Sequence, residues 1–185
     1  MCGRFSDWLY RISNGWIVLG ALLVFTLFMI LILPGQSASA EAFSADAGTP
    51  DLSFYYSTDE LYRMAESYGA QGRELYIRAR FTFDLIWPVV YTLFLTAAIS
   101  WIYARATPSK NIIWWVNLLP VLGMLFDYLE NISSSLVMVR YPQQTPLIDF
   151  LAPIFTMLKW FLITSSFFIL ILGVFILLKQ RITHR

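Results

Sequence analysis

Four ionisable side chains stand where the sequence is otherwise apolar: Asp84, Asp127, Glu130 and Lys159. A carboxyl held away from bulk water can bind a cation, give up a proton or bond a carbonyl, and an ammonium at the same depth can neutralise it. Asp127 and Glu130 sit in a run that begins Ile112-Ile113-Trp114-Trp115-Val116 and closes with Leu136, Val137 and Val139. That run is long enough for a membrane span, which takes about 20 mainly apolar residues. By helix rise Asp127 lies roughly 20 Å from both Trp114 and Arg140, near mid-bilayer. An ionised Asp there costs on the order of 2.5–3.5 kcal/mol, so partners are expected.

Helical spacing says which partners. Asn117, Pro120, Gly123 with Met124, Asp127, Asn131 and Ser134 advance by threes and fours and form one polar, small-residue stripe, with Glu130 beside it. Further along, Thr156, Lys159 and Ser166 share a face, and Lys159 lies about 18 Å below Leu147. Lys159 with Asp127 or Glu130 is the charge-neutralising pair, expected to form one network opening on an outward-facing pocket. Arg80 and Asp84 are four apart and should pair at the entrance, partly hydrated and worth about 0–1 kcal/mol. Three acids against Lys159 and Arg80 leave one acid that should hold a proton. The candidate ligand-binding set is therefore Asp127, Glu130, Asn131, Lys159, Asp84, Tyr91, Tyr128 and Trp160, the aromatic members as walls. Pro88, Pro120 and Pro153 lie near the charges, and kinks at one level open a cavity. The competing reading is architectural, since polar side chains also hold membrane helices together at ~0.6 kcal/mol each.

The elements that must position these groups are membrane helices. Hydrophobic residues make up 58 % of the 185 and charged residues 14 %, well below the quarter usual in soluble domains. Mean hydropathy is +0.61. A net charge of +1 without a basic run argues against a nucleic-acid partner. One cysteine, Cys2, and one histidine, His184, give no metal ligand set, and no cofactor motif occurs. Nothing supports a Ser-His-Asp triad, a phosphate loop or a zinc site, so no catalytic residue is assigned and enzymatic activity stays open.

The fold class expected is all-α, an integral membrane four-helix bundle in one domain over 1–185. Its spans fall at about 16–33, 81–104, 112–139 and 147–178. An interfacial N-terminal helix carries Phe5, Trp8, Leu9 and Ile12 on one face. Pro34-Gly35 should stop the first span, leaving 36–50 as a flexible linker. The Arg4/Arg11 flank and Ala38-Ser39-Ala40 also fit a signal peptide, but the apolar run exceeds the usual 7–15 residues, favouring a retained anchor. Ser57-Thr58-Asp59-Glu60 has capping-box spacing, so an amphipathic helix with Leu61, Met64, Ala65 and Tyr68 starts there, lying as a lid on the membrane surface and ending at Gly69. Gly72 allows a turn, and a second helix from about Arg73 should run directly into the next span.

Lys and Arg cluster beside the termini and between Arg105 and Lys110, which puts both termini in the cytoplasm of a plasma (inner) membrane and the long loop over 34–80 outside. In outline, a small helical bundle with intramembrane acids such as Asp127 and Glu130 is similar to the emopamil-binding and sigma-2-receptor group, though no motif of that group matches residue by residue. The resemblance implies a pocket for a membrane-soluble amphiphile. Three functions compete: binding or transforming a sterol, isoprenoid or lipid; an accessory subunit with a purely architectural polar network; and a small oligomeric proton- or cation-coupled transporter. The stripe thins below Asn117, which counts against a conduit. A homo-oligomer or a partner membrane subunit fits the last two.

Overall fold

The computed structural model describes residues 2–44, 47–107 and 112–183, and all regular structure among them is helical. Lys110 and His184 lie outside the described residues. Helix α1 (Cys2–Ile12) is followed by α2 (Gly15–Leu27), a π-helical turn (Phe28–Ile32) and α3 (Leu33–Ser44) without a break. Then come α4 (Thr58–Ser67), α5 (Gly69–Arg80), α6 (Phe83–Ala106), α7 (Leu119–Arg140) and α8 (Pro146–Thr183). Three stretches are long and apolar enough to cross a membrane: Gly15–Ser44, Gly69–Ala106 and Pro146–Thr183.

Pro34-Gly35 does not stop the first helix, and 36–44 is helical rather than a linker. The reason lies one turn earlier. Leu33 N–H bonds to the Phe28 carbonyl five residues back. That wide turn absorbs the donor and the space that the proline ring denies an ordinary helix. The break after α4 falls where expected, at Gly69, whose φ of +61° is a left-handed conformation that glycine adopts without a Cβ penalty. Here α5 begins at once, so the turn expected at Gly72 does not form. Gly72 is instead buried in α5, where a Cβ would meet the Phe43 carbonyl oxygen at 3.2 Å and Tyr68 Cβ at 3.0 Å. Nor does α5 run straight into α6. Thr82 Oγ1 donates to the Arg78 carbonyl at 2.7 Å, and Phe81 leaves helical geometry at the break.

The chain divides into two compact units. One comprises Met1–Thr26, Val90–Gly123 and Phe161–Arg185. Within it Ser6 Oγ donates to Asn117 Oδ1 at 2.8 Å, and Asn117 Nδ2 donates to Ser100 Oγ at 3.1 Å, fastening α1 to the 3₁₀ turn Ile112–Leu118 and to α6. The opposite face of α1 leaves Phe5 and Trp8 exposed and stacked at 5.9 Å. Tyr10, Ile99, Ile102 and Tyr103 form the apolar core of this unit.

The other unit comprises Leu27–Val89 and Met124–Trp160. Helix α4 begins at Ser57, whose side chain accepts from Glu60 N–H while the Glu60 carboxylate accepts from Ser57 N–H at 2.7 Å, the capping box read from the sequence. Those bonds hold the Glu60 carboxyl below its ordinary range. The apolar face of α4 does not rest on lipid. Leu61 and Ala65 are fully buried against a cluster that includes Tyr56, Tyr76, Val137, Met138 and Ala152. Tyr62 OH donates to Asp149 Oδ2 at 2.8 Å, tying α4 to the first turn of α8.

Candidate functional site

The polar members of the stripe are buried: Asn117 on the 3₁₀ turn and Asp127, Asn131 and Ser134 on α7 are each at most 5 % exposed, and Glu130 is completely covered. In the unit that holds the acids, α7 and α8 meet at Lys159. Its Nζ lies 2.6 Å from Glu130 Oε2 and 3.8 Å from Asp127 Oδ1. Asn131 Nδ2 donates to Asp127 Oδ1 at 3.2 Å. Periodicity alone predicts this group, because facing positions at equal depth must meet.

Periodicity does not predict Asp51. It sits on a 3₁₀ turn (Pro50–Leu52) in the segment between α3 and α4, and its carboxylate bridges two cations: Oδ1 lies 2.9 Å from Lys159 Nζ and Oδ2 lies 2.9 Å from Arg80 Nη1. Arg80 Nε in turn lies 2.9 Å from Asp84 Oδ2. The result is one chain of ion pairs, Glu130–Lys159–Asp51–Arg80–Asp84. Burial alone would raise the Asp51 carboxyl, but the Arg80 guanidinium and the Lys159 ammonium outweigh it and hold the group well below the usual carboxylate range.

The pair Arg80–Asp84 forms as its spacing predicts, yet it is not a hydrated entrance. Arg80 is 5 % and Asp84 3 % exposed. Asp51 covers one edge of the guanidinium and the Tyr76 ring lies 4.8 Å from its centre. Aromatic side chains close the rest of the cluster: Tyr76 OH donates to Ser134 Oγ at 2.9 Å, and Thr156 Oγ1 lies 3.2 Å from Tyr56 OH. Burial pushes the Tyr56 phenol up.

The remaining candidates separate. Lys159 Nζ stands 5.6 Å from the centre of the Trp160 ring, within cation–π range. Tyr128 donates to the Leu85 carbonyl at 2.8 Å. Tyr91 is buried in the other unit. Three carboxylate oxygens, from Asp51, Asp127 and Glu130, lie within 4.8 Å of one another, a spacing that suits a metal ion. The Lys159 ammonium is already seated against all three and supplies the positive charge there.

A cleft of about 460 Å³ is lined in part by Asp51. Leu33, Phe43, Leu52, Leu75 and Phe83 give it apolar walls, while Asp51, Arg80 and Asp84 form a polar floor. Its lining comes from α3, the Asp51 turn, α5 and the start of α6, and does not include Asp127, Glu130 or Lys159. Asp51 and Arg80 were not singled out as ligand-binding positions by the sequence. Arg80 was legible as the partner of Asp84, but Asp51 carries no periodic signal. No family profile, no characterised protein and no solved structure matches the chain.

Proposed function

We propose that this chain is an integral membrane protein that binds a hydrophobic amphiphile of the sterol, isoprenoid or lipid class in the cleft between α3, α5 and the Asp51 turn. One observation carries the reading: apolar walls converge on the buried pair Arg80–Asp84 and the partly exposed Asp51 carboxylate that is ion-paired to Arg80. Binding sites for small molecules combine such apolar lining with a few fixed polar groups. The tail would lie along Leu33, Leu75 and Phe83, with the head towards Asp51 and Asp84. Leu52 and Leu75 are strongly exposed beside the cleft, which leaves an apolar way in from a bilayer.

In this reading α7 is the fourth crossing. Its charged stripe makes it less apolar than the other three, but that stripe is buried in protein and leaves Leu122, Leu125, Ile132 and Val139 exposed for lipid. Four crossings return both termini to the cytoplasmic side of a plasma membrane. A photoactivatable sterol and a photoactivatable fatty alcohol, each incubated with the protein in lipid nanodiscs, should label peptides from 33–43 and 75–83. Ala79→Trp, which fills the cleft, should abolish that labelling. Labelling confined to the lipid-facing residues 16–31 in both proteins overturns the proposal.

A second reading is an accessory subunit whose cluster is purely architectural. It is favoured by the saturation of Lys159 and Arg80, whose charged groups are already engaged by carboxylates of the same chain. Its signature is loss of folding in cluster variants together with no labelling of the cleft.

A further inference from the structure

Resting on that reading, we infer that the headgroup site of the cleft takes a protonated amine, held by the carboxylates of Asp51 and Asp84 beside the Thr49 hydroxyl. The first argument is charge. Among the described residues four carboxylates, Asp51, Asp84, Asp127 and Glu130, are linked through only two cationic side chains, Arg80 and Lys159. With every group ionised the cluster is two negative charges in excess. Burying such an excess is costly, and protons or a bound cation must offset it.

The second argument is which charges are already used. Lys159 Nζ has Glu130 at 2.6 Å and Asp51 at 2.9 Å, and its ammonium faces the Trp160 ring. Arg80 has Asp51 and Asp84 each at 2.9 Å and the Tyr76 ring across its plane. An anionic head would have to break one of these pairs and add to the negative excess. Arg78 also lines the cleft, but it is exposed, where water and salt weaken its pull on an anion. An ammonium adds the missing charge and displaces nothing.

The third argument is independent of charge. Thr49 lines the same cleft, is 4 % exposed, and its Oγ1 has no hydrogen-bond partner. A buried hydroxyl left unmatched costs about 1–3 kcal/mol, so it marks a place where a polar group belongs. An N–H donor bonded to Asp51 and Asp84 also satisfies that oxygen.

The test uses three probes with one chain length, octylamine, octanol and octanoate, titrated at neutral pH into the full-length protein in nanodiscs of neutral phosphatidylcholine. The same titrations with Ala79→Trp give the bilayer background. Octylamine should saturate at least tenfold more tightly than octanol, with octanoate at background. Asp84→Asn and Asp51→Asn should each bring octylamine to the level of octanol. Should Asp84→Asn fail to fold, Asp51→Asn, at a side chain about a quarter exposed, decides alone. Octanol or octanoate binding as tightly as octylamine, or an amine preference that survives Asp51→Asn, overturns the inference while leaving the cleft as an amphiphile site. If none of the three exceeds the Ala79→Trp background, both the inference and the cleft reading fall.

Discussion

Asp51 and Lys159, 108 residues apart, are joined by a 2.9 Å charge-assisted hydrogen bond that pins the turn after α3 to the middle of α8. Asp51 also holds Arg80, so one loop carboxylate connects the last residue of α5 to a lysine inside α8. The loop is therefore part of the buried network rather than a tether over it.

Lys159→Met should be strongly destabilising, by about 3–5 kcal/mol, because it leaves the buried Glu130 carboxylate without its cation and Asp51 with Arg80 alone. Lys159→Met combined with Glu130→Gln should recover a substantial part of that loss. Thermal unfolding of the purified single and double variants measures both. A double variant no more stable than Lys159→Met would show that Glu130 and Lys159 are not energetically coupled.

The Asp51 pair should leave a pH signature. Its carboxyl is held below the ordinary value of about 3.9, so its contribution is fully present above that pH and is lost as pH falls through the lower, folded-state value. Between pH 7 and 5 Asp51 should therefore add nothing to the slope of stability. Below about pH 4 the native protein should lose stability that Asp51→Asn has already lost. Unfolding midpoints of the two proteins across that range are the measurement, and parallel curves throughout would remove Asp51 from the network.

Gly72→Val tests the wall of the cleft. The new side chain meets a backbone carbonyl at 3.2 Å and a Cβ at 3.0 Å, neither at the end of a flexible group. It should cost about 1–3 kcal/mol. Its particular mark should be faster amide exchange in 36–44 than in 61–66, because one clash is with the Phe43 carbonyl inside α3 and the other is with Tyr68, past the end of α4. Equal protection in both segments would count against close packing of α3 on α5.

Topology can be read with an impermeant thiol reagent in a Cys2→Ser background. A cysteine at Gln143 should react in intact cells and one at Thr107 should not. The reverse pattern overturns the orientation, and tags at the two termini on opposite sides would mean an odd number of crossings.

What the sequence determined by itself follows from helix geometry. A fixed rise and a repeat of 3.6 residues place Asp127, Asn131 and Ser134 on one face, put Lys159 at matching depth, and bring Arg80 onto Asp84. The capping box at Ser57 was legible for the same reason, being set within four residues. Other features needed the tertiary structure. Whether Pro34 ends a helix depends on the π turn before it, and whether Arg80–Asp84 is wet depends on what covers it. Asp51 is the clearest case. A loop has no repeat that assigns its side chains a face, so the path of 47–56 is fixed by distant packing: Tyr68 OH bonds to the Gly48 carbonyl at 2.6 Å, and Tyr56 is buried beside Thr156. That packing, which no local pattern encodes, carries a carboxylate from the loop to two cations and turns a predicted pair of helices into a five-member chain of charges beside a cleft.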